Sequence, residues 1–489
     1  MESSEDFDDD DTPRAVLAKP KDKRAERAVL AKAKEKRAER SQFEALSPLN
    51  GYAETFSIFA GETLALRLGR KPGSLFWWRR AYVKQIDVRD AVSGATIATI
   101  RPQGKIRVPE QLPASHRDEG AAYRARVTLD TAGWPVALYE CVVSDSMGGR
   151  SRDIFVNVKP GTFDDHDLVC VLPFFTWHAY NFVGGGSFYS RGQGPVRRVS
   201  TQRPLSRKGD NAVDASLVFL HAFAGAGLRY CCIDSSDLHR GLLPEGRVPV
   251  MALLTHDEYW SAEMRSQVNR HLRRRGALLV AAGNVCWWEI GVEDANLSVD
   301  KTPGPNLAQW HRRGVPEERT FLSSFRFGGY ALGHAPRKEW LAPRVAHLSQ
   351  DEIRAAGALT VVQPSHPLFE GVRLDPENTF GADVPIVYRE VDGIPLKTDG
   401  TVDRDWYHAD DIDPQIIATG LVASSNRYDP IERVGVVAEA RVRRGYVLHL
   451  GSFGWSRGLV QKNEMVKRVV LNAVRRCLSM ARTDGRART

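Results

Sequence analysis

Apolar and polar positions follow two different rhythms along the chain. Between residues 45 and 160 they come in short runs: FSIFAGETLALRLG, FWWRRAYVKQIDV, ATIATIRP, AYRARVTLD, VALYECVVSD and RDIFVNVKP. These runs are rich in β-branched and aromatic residues and are divided by Gly, Pro and Asp. Such punctuation predicts a β-sandwich of immunoglobulin-like size, closed by Pro160-Gly161. From about residue 165, uniformly apolar stretches (LVCVLPFF, LRYCCID, VPVMALLT, ALLVAAGN) alternate with helical ones (NAVDASLVFLHAFAGAG, SAEMRSQVNRHLRRRG). That order predicts a parallel sheet with helices on both faces. After a Gly/Pro-rich stretch (291–350), strands resume at ALTVVQP, QIIATG, RVGVVAEARV and GYVLHLGS, before a closing amphipathic helix, LVQKNEMVKRVVLNAVRRCL. The expected fold class is α/β: an immunoglobulin-like β-sandwich over 45–162, then a doubly wound parallel-sheet domain over 163–480, with a tail at 481–489.

Residues 1–44 read as a charged, flexible arm. A 13-residue unit, AVLAKPKDKRAER (15–27), returns as AVLAKAKEKRAER (28–40). Thirteen residues rotate a helix by about 220° beyond whole turns, so Val16 and Leu17 cannot share a face with Val29 and Leu30. Pro20 breaks the first copy. The repeat therefore predicts a solvated, partly helical segment, or an arm that docks on a partner subunit or RNA.

Composition then narrows the classes. The 489 residues suffice for two or three domains. No stretch approaches the roughly 20 apolar residues of a membrane span, and the acidic start MESSEDFDDDD is unlike a signal peptide. The six cysteines lie scattered, without a CxxC pair, which suits a reduced, cytoplasmic setting. The net charge of +8 could suggest nucleic acid, but residues 1–40 hold 11 Lys/Arg and 11 Asp/Glu, so the excess lies wholly in the body. The arm is acidic and then basic, a segregation that fits a protein partner better than a polyanion.

The candidate chemistry collects after the apolar strands, where open α/β sheets place ligands. LLTHDEYWS (253–261) puts His256, Asp257, Glu258, Tyr259 and Trp260 at a strand end. Thr255-x-x-Glu258 also reads as a capping box, which would account for Glu258 but leave His256 and the aromatics without a role. TWHAYNFVGGGSFYSRGQGP (176–195) brings Trp177, His178, Tyr180 and Tyr189 to the same edge on a glycine-rich loop that lacks the Gly-Lys-Ser/Thr of a phosphate loop. AAGNVCWWEI supplies Asn284, suited to binding a carbonyl oxygen or orienting a water; Cys286 beside it lacks a base. Glu390, Asp392 and Trp455 follow later strands. No HExxH or Cys/His cluster has zinc spacing, so a bound metal would need oxygen ligands.

Together WPVALYE, PFFTWHAYNFVGGGSFY, LLTHDEYWS, AAGNVCWW, SHPLFEGV, EVDG and LHLGSFGW resemble the large (beta) subunit of N,N-dimethylformamidase, over about 45–480. The α/β half also resembles the glutamine-amidotransferase-like fold of ThuA-type proteins. The first resemblance implies one ferric iron, mononuclear, held by two phenolates and a glutamate: Tyr139, Tyr180 and Glu258. It places His256, Asn284 and Glu390 around the metal as catalytic groups. It further implies hydrolysis of the C–N bond of a small N-substituted amide to a carboxylic acid and an amine. A small helical subunit and a homo-oligomer are the implied partners; membrane and nucleic acid are not. The family carries a lectin-like region ahead of this body, where residues 1–44 read as the short charged arm. The competing expectation is a non-catalytic, amidotransferase-like binding or assembly module in which HDEYW is only a cap and an aromatic cluster.

Overall fold

A computed structural model describes residues 48–70, 80–110, 116–151, 153–183, 186–189, 196–206, 213–300, 357–388, 391–393, 401, 413–421, 434–442 and 444–486. The charged repeat arm and Glu390 lie outside the described residues.

The first strands are β1 (Leu49–Ala53), β2 (Ser57–Phe59), β3 (Thr63–Arg70), β4 (Ala81–Asp90), β5 (Thr96–Ile100), β6 (Arg107–Val108), β7 (Ala125–Asp130), β8 (Ala137–Asp145) and β9 (Phe155–Lys159). One sheet has the order β1-β3-β7 and a second β2-β9-β8-β4-β5, with β6 paired to β4. Their facing side chains, among them Leu66, Leu68, Ile86, Val88, Val127, Val143 and Val156, form one apolar core. Strand β7 shows the cause, because its residues alternate strictly between buried and exposed.

The remaining strands are β10 (Leu168–Leu172), β11 (Arg198–Ser200), β12 (Tyr230–Asp234), β13 (Val250–His256), β14 (Tyr259–Trp260), β15 (Ala277–Gly283), β16 (Trp288–Glu289), β17 (Gly291–Glu293), β18 (Asn296–Ser298), β19 (Leu359–Val361), β20 (Thr379–Phe380), β21 (Gln415–Leu421), β22 (Val434–Val442) and β23 (Gly445–His449). Nine of them make one sheet, ordered β12-β10-β13-β15-β23-β22-β21-β19-β20.

This sheet overturns the expected fold class. Strand exceeds helix among the described residues, and the sheet is mixed rather than doubly wound and parallel. Pairing is parallel from β12 to β23 and antiparallel from β23 to β20. The reason is connection length. Only two residues separate Val442 from Gly445, a span that closes a hairpin and cannot carry a parallel crossover. The parallel half is buried on both faces: every residue of β10, β13 and β15 is buried. All three strands end at one edge, where the candidate residues follow. No described helix is long and apolar enough to cross a membrane.

The helix Glu464–Arg486 is tied to the antiparallel half through Glu439. Arg476 Nε and Nη2 donate to its two carboxylate oxygens at 3.1 and 2.8 Å, His366 Nε2 lies 3.2 Å away, and the Tyr446 hydroxyl also donates to it. Burial pushes this carboxyl up, but the donors from His366, Arg476 and Tyr446 outweigh it and hold the group well below the usual carboxylate range. A carboxylate depressed in the fold stabilises it fully above its unfolded value, and that contribution is lost as the pH falls through the folded one. Glu439→Gln should therefore cost about 1.5–3 kcal/mol at neutral pH. The gap to wild type should narrow below about pH 4, as read by urea unfolding at both pH values; a gap that widens in acid would refute the assignment.

Candidate functional site

Strand β13 is a continuous apolar run until Thr255, whose φ of 67° is unusual for a β-branched residue. Asn284 and Cys286, just past β15, both have φ of 57°. Backbone strain of this kind collects at functional sites and persists only where surrounding contacts enforce it. The enforcing contacts are present. Asp392 accepts the backbone N–H groups of Asn284 and Val285 at 3.0 and 3.2 Å, and His449 Nε2 lies 3.3 Å from the same carboxylate. Thr176 Oγ1 accepts the N–H groups of Glu258 and Tyr259 at 3.0 and 3.2 Å. Short strands β14 and β16 then pair in parallel and extend the two strand ends together.

These turns gather the polar side chains. The Tyr180 hydroxyl donates to Glu258 Oε2 at 2.6 Å. The Tyr189 hydroxyl lies 2.9 and 3.0 Å from the two Glu258 oxygens and 2.8 Å from the Tyr180 hydroxyl. The Tyr259 hydroxyl donates to Tyr189 at 2.9 Å. His256 Nε2 lies 3.5 Å from Glu258 Oε2 and 3.4 Å from Asn284 Nδ2, while Asn284 Oδ1 is buried without a hydrogen-bond partner. Glu258, His256 and Tyr259 are buried; Tyr189, 37% exposed, forms the rim toward solvent. Beside them, burial pushes the Asp257 carboxyl up to about 7 against the opposing pull of His256, Trp260 and Thr176.

The described residues that carry the two phenols are held together by hydrogen bonds. Phe188 N–H donates to Ala179 O at 3.0 Å, which brings residue 189 back beside residue 180. The wholly buried Arg203 guanidinium donates to the carbonyls of His178, Val183 and Gly186 at 2.7–2.8 Å. The Tyr180 and Tyr189 rings consequently stack with centroids 4.4 Å apart. His178 takes no part: it is buried, and burial together with Arg203 holds its imidazole well below its ordinary range.

Of the expected residues, Tyr180, Glu258, His256 and Asn284 come together. Tyr139 does not join them. It is wholly buried in the core of the smaller sheets, its hydroxyl donates to Pro135 O at 2.6 Å, and its ring meets Trp134 edge-on. Burial and the nearby Asp90 push it up to about 12. Glu390 lies outside the described residues, although Asp392, two positions on, buttresses the Asn284 turn. The capping-box expectation for Glu258 also fails. The helix Ala262–Arg273 starts later, with Ser261 as N-cap accepting from Met264 N–H. Tyr189 and Tyr259, placed at this edge by the sequence as aromatics, contribute hydroxyls to the cluster, whereas Thr176 and Arg203 are contributors that spacing alone does not single out.

Among the described residues no three His, Cys, Asp or Glu side chains converge as a metal site; the converging groups here are largely phenolic. The sequence profile described as "N,N-dimethylformamidase beta subunit-like, C-terminal" matches residues 81–466. No curated protein matches. Among solved structures, a DUF3244 family protein with an immunoglobulin-like β-sandwich fold from Bacteroides vulgatus is 15% identical, with 22% of this chain and 79% of that one covered, at a TM-score of 0.12. A superoxide reductase (neelaredoxin) from Ignicoccus hospitalis is 10% identical, with 24% and 81% covered, at a TM-score of 0.14. A cycloisomaltooligosaccharide glucanotransferase from Paenibacillus sp. is 8% identical, with 48% and 52% covered, at a TM-score of 0.19. Likenesses this slight carry no argument about fold or function.

Proposed function

The chain belongs to the N,N-dimethylformamidase beta subunit-like family, and from that premise we propose that it is an iron-dependent amidohydrolase cleaving the C–N bond of a small N-substituted amide. The observation that carries the reading is the convergence of tyrosine hydroxyls on Glu258, beside His256 and Asn284, at a strained edge of the large sheet. The donor set fits a ferric ion, because phenolate and carboxylate are hard, anionic oxygen ligands. Tyr180 and Glu258 would hold the ion. When bound there it supplies Lewis acidity toward an amide carbonyl.

The remaining work belongs to the chain's own groups. Asn284 Oδ1, buried and unpartnered, is open to accept a hydrogen bond from the attacking water. His256 has a neighbour for either protonation state: protonated it donates to Glu258, and neutral it accepts from Asn284 Nδ2. A group with those two options can take a proton from water and pass it to the departing nitrogen. Water's oxygen ends on the acyl carbon, and the amine leaves with the transferred proton, so the step balances. The buried surroundings of Glu258 and His256 exclude bulk solvent and strengthen each of these interactions.

The test is to purify the protein, assay its iron, and follow amine release from N,N-dimethylformamide beside a panel of N-alkyl amides. The expected result is stoichiometric iron, a visible phenolate-to-iron absorption band, and turnover of at least one amide. Protein that takes up no iron and hydrolyses none of the panel would sink the reading.

A further inference from the structure

We infer that the acidic head of the N-terminal arm, residues 2–11, docks on an arginine face of its own chain, at the amino edge of the large sheet. Strands β13, β15 and β23 run parallel and start level, because Val250 pairs with Ala277 and Ala277 with Tyr446. Arg247, Arg275 and Arg444 lie two or three residues before those paired positions. The helix Ala262–Arg273 runs back from the site edge and brings Arg270, Arg273 and Arg274 to the same place. The segments touch. Arg247 Nη2 donates to Arg275 O at 2.6 Å, and the Tyr446 N–H donates to Gly276 O at 3.2 Å. A Cβ on Gly445 would come within 2.8 Å of the Leu272 and Gly276 carbonyl oxygens, so a glycine lets the β22–β23 hairpin close on the helix end.

Local needs account for only part of this face. Cations at a helix carboxyl end meet the negative end of its macrodipole, which suits Arg270, Arg273 and Arg274. That gives no reason for Arg247 or Arg444, which belong to other segments. Arg270 stands three and four positions from Arg273 and Arg274, where like charges repel. Arg275 adds a cost, because its φ of 65° is a left-handed helix-end conformation in which glycine is the unstrained residue. Arg247, Arg270, Arg273, Arg274 and Arg444 are all exposed. Among the described residues these five pair with no carboxylate, whereas Arg229 and Arg482 meet Asp167 and Arg476 meets Glu439. A concentration of one sign is relieved by an anionic partner.

The chain carries that partner itself. Glu2, Glu5, Asp6 and Asp8 to Asp11 place seven acids ahead of the first base, Arg14. Residues 14–40 then hold 11 Lys/Arg against four Asp/Glu, so the head alone has the matching sign. From residue 12 to β1 the chain can span up to about 120 Å at about 3.3 Å per residue, enough to reach round a globular body of this length. The tether also holds the head near the face at roughly millimolar effective concentration, so a contact of modest strength stays occupied. The face lies at the opposite end of β13 from His256, about 20 Å away at about 3.3 Å per residue. Docking there leaves the amide site untouched and keeps nucleic acid off the arginines.

The test uses the full chain. Arg273→Lys and, separately, Arg444→Lys keep the charge but supply an amine that a carbodiimide joins to an adjacent carboxylate, with circular dichroism to verify folding. At low salt, mass spectrometry of the monomer should find the acidic head linked to position 273 or 444. The yield should fall at least about fivefold in roughly 0.5 M NaCl, where the screening length is about 4 Å, and likewise in Asp8→Asn/Asp9→Asn/Asp10→Asn/Asp11→Asn. Fluorescence anisotropy with an oligouridine of about 20 nucleotides gives a second readout. The four-asparagine variant should bind it at least about tenfold more tightly than wild type at low salt, because its face is uncovered. Adding Arg270→Ala/Arg273→Ala/Arg274→Ala should remove that gain, which ties it to the face rather than to net charge. Links absent from both lysine variants, or confined to dimers, would overturn the inference. So would a wild type that binds oligouridine as tightly as the four-asparagine variant, or a gain that survives loss of the arginines.

Discussion

Glu258→Gln should lower amide-hydrolysis kcat/KM by about 10³-fold or more, equivalent to about 4 kcal/mol of transition-state stabilisation, while the fold survives. Glutamine matches the shape of glutamate and still presents one oxygen to the two phenols that donate to Glu258. What it removes is the negative charge, and with it the hard anionic donor that a trivalent ion needs. It also removes the acceptor next to His256 Nε2. Iron content and amine release should fall together, with an unchanged far-ultraviolet spectrum. Full activity in this variant would mean that the chemistry is not at this edge of the sheet.

Lys159→Met should destabilise the protein by about 3–5 kcal/mol, the range found when one partner of a buried ion pair is removed. Lys159, on β9, is buried; its ammonium meets the buried Asp237 carboxylate and lies 4.3 Å from the centre of the Phe59 ring. Asp237 belongs to the capping box of the helix Ser235–Arg240, where Asp234 is pushed up to about 7 by burial and by Asp237. Removing the lysine would leave two carboxyls facing each other in a dry place. The double variant Lys159→Met/Asp237→Asn keeps the acceptor for Asp234 N–H but carries no orphaned charge at 237, and should recover about half the loss. Urea unfolding of the three proteins checks this; a single variant as stable as wild type would show that the pair contributes nothing. Together with the bond from Asn157 Nδ2 to Cys232 O at 2.8 Å, the pair fastens the smaller sheets to the outer strand of the large one.

The sequence was readable where burial is uniform. LVCVL, VMALLT and ALLVAAG are apolar throughout because parallel strands are covered on both faces, and they became β10, β13 and β15. The antiparallel half is not legible in strand-like runs alone, because its direction is set by the short β22–β23 link. Tyr139 was also decidable from periodicity. Along VALYECVV it shares a face with Cys141 and Val143, both in the smaller sheets' core. Ser261, next to the helical AEM run, is a better cap than Thr255. The edge that Tyr189 reaches is legible, but its contact with Glu258 is not, because that depends on Arg203 reaching back to three carbonyls. No local rule relates a buried arginine to a glycine-rich loop many residues earlier.

Strand β23 comes near the end of the chain yet lies in the middle of the large sheet, between β15 and β22. During synthesis, β12, β10, β13 and β15 emerge first and can only wait with an open edge beside β15. The Asn284 turn waits as well, because its clasp, Asp392, arrives 108 residues later, and His449 later still. Long-range closures of this kind are slow, and they leave nascent chains exposed to wrong pairing. Ribosome-bound chains ending before residue 445 should therefore be protease-sensitive at β15 and unable to assemble the site. Competence would come only once strand β23 has been made and can fill the gap between β15 and β22.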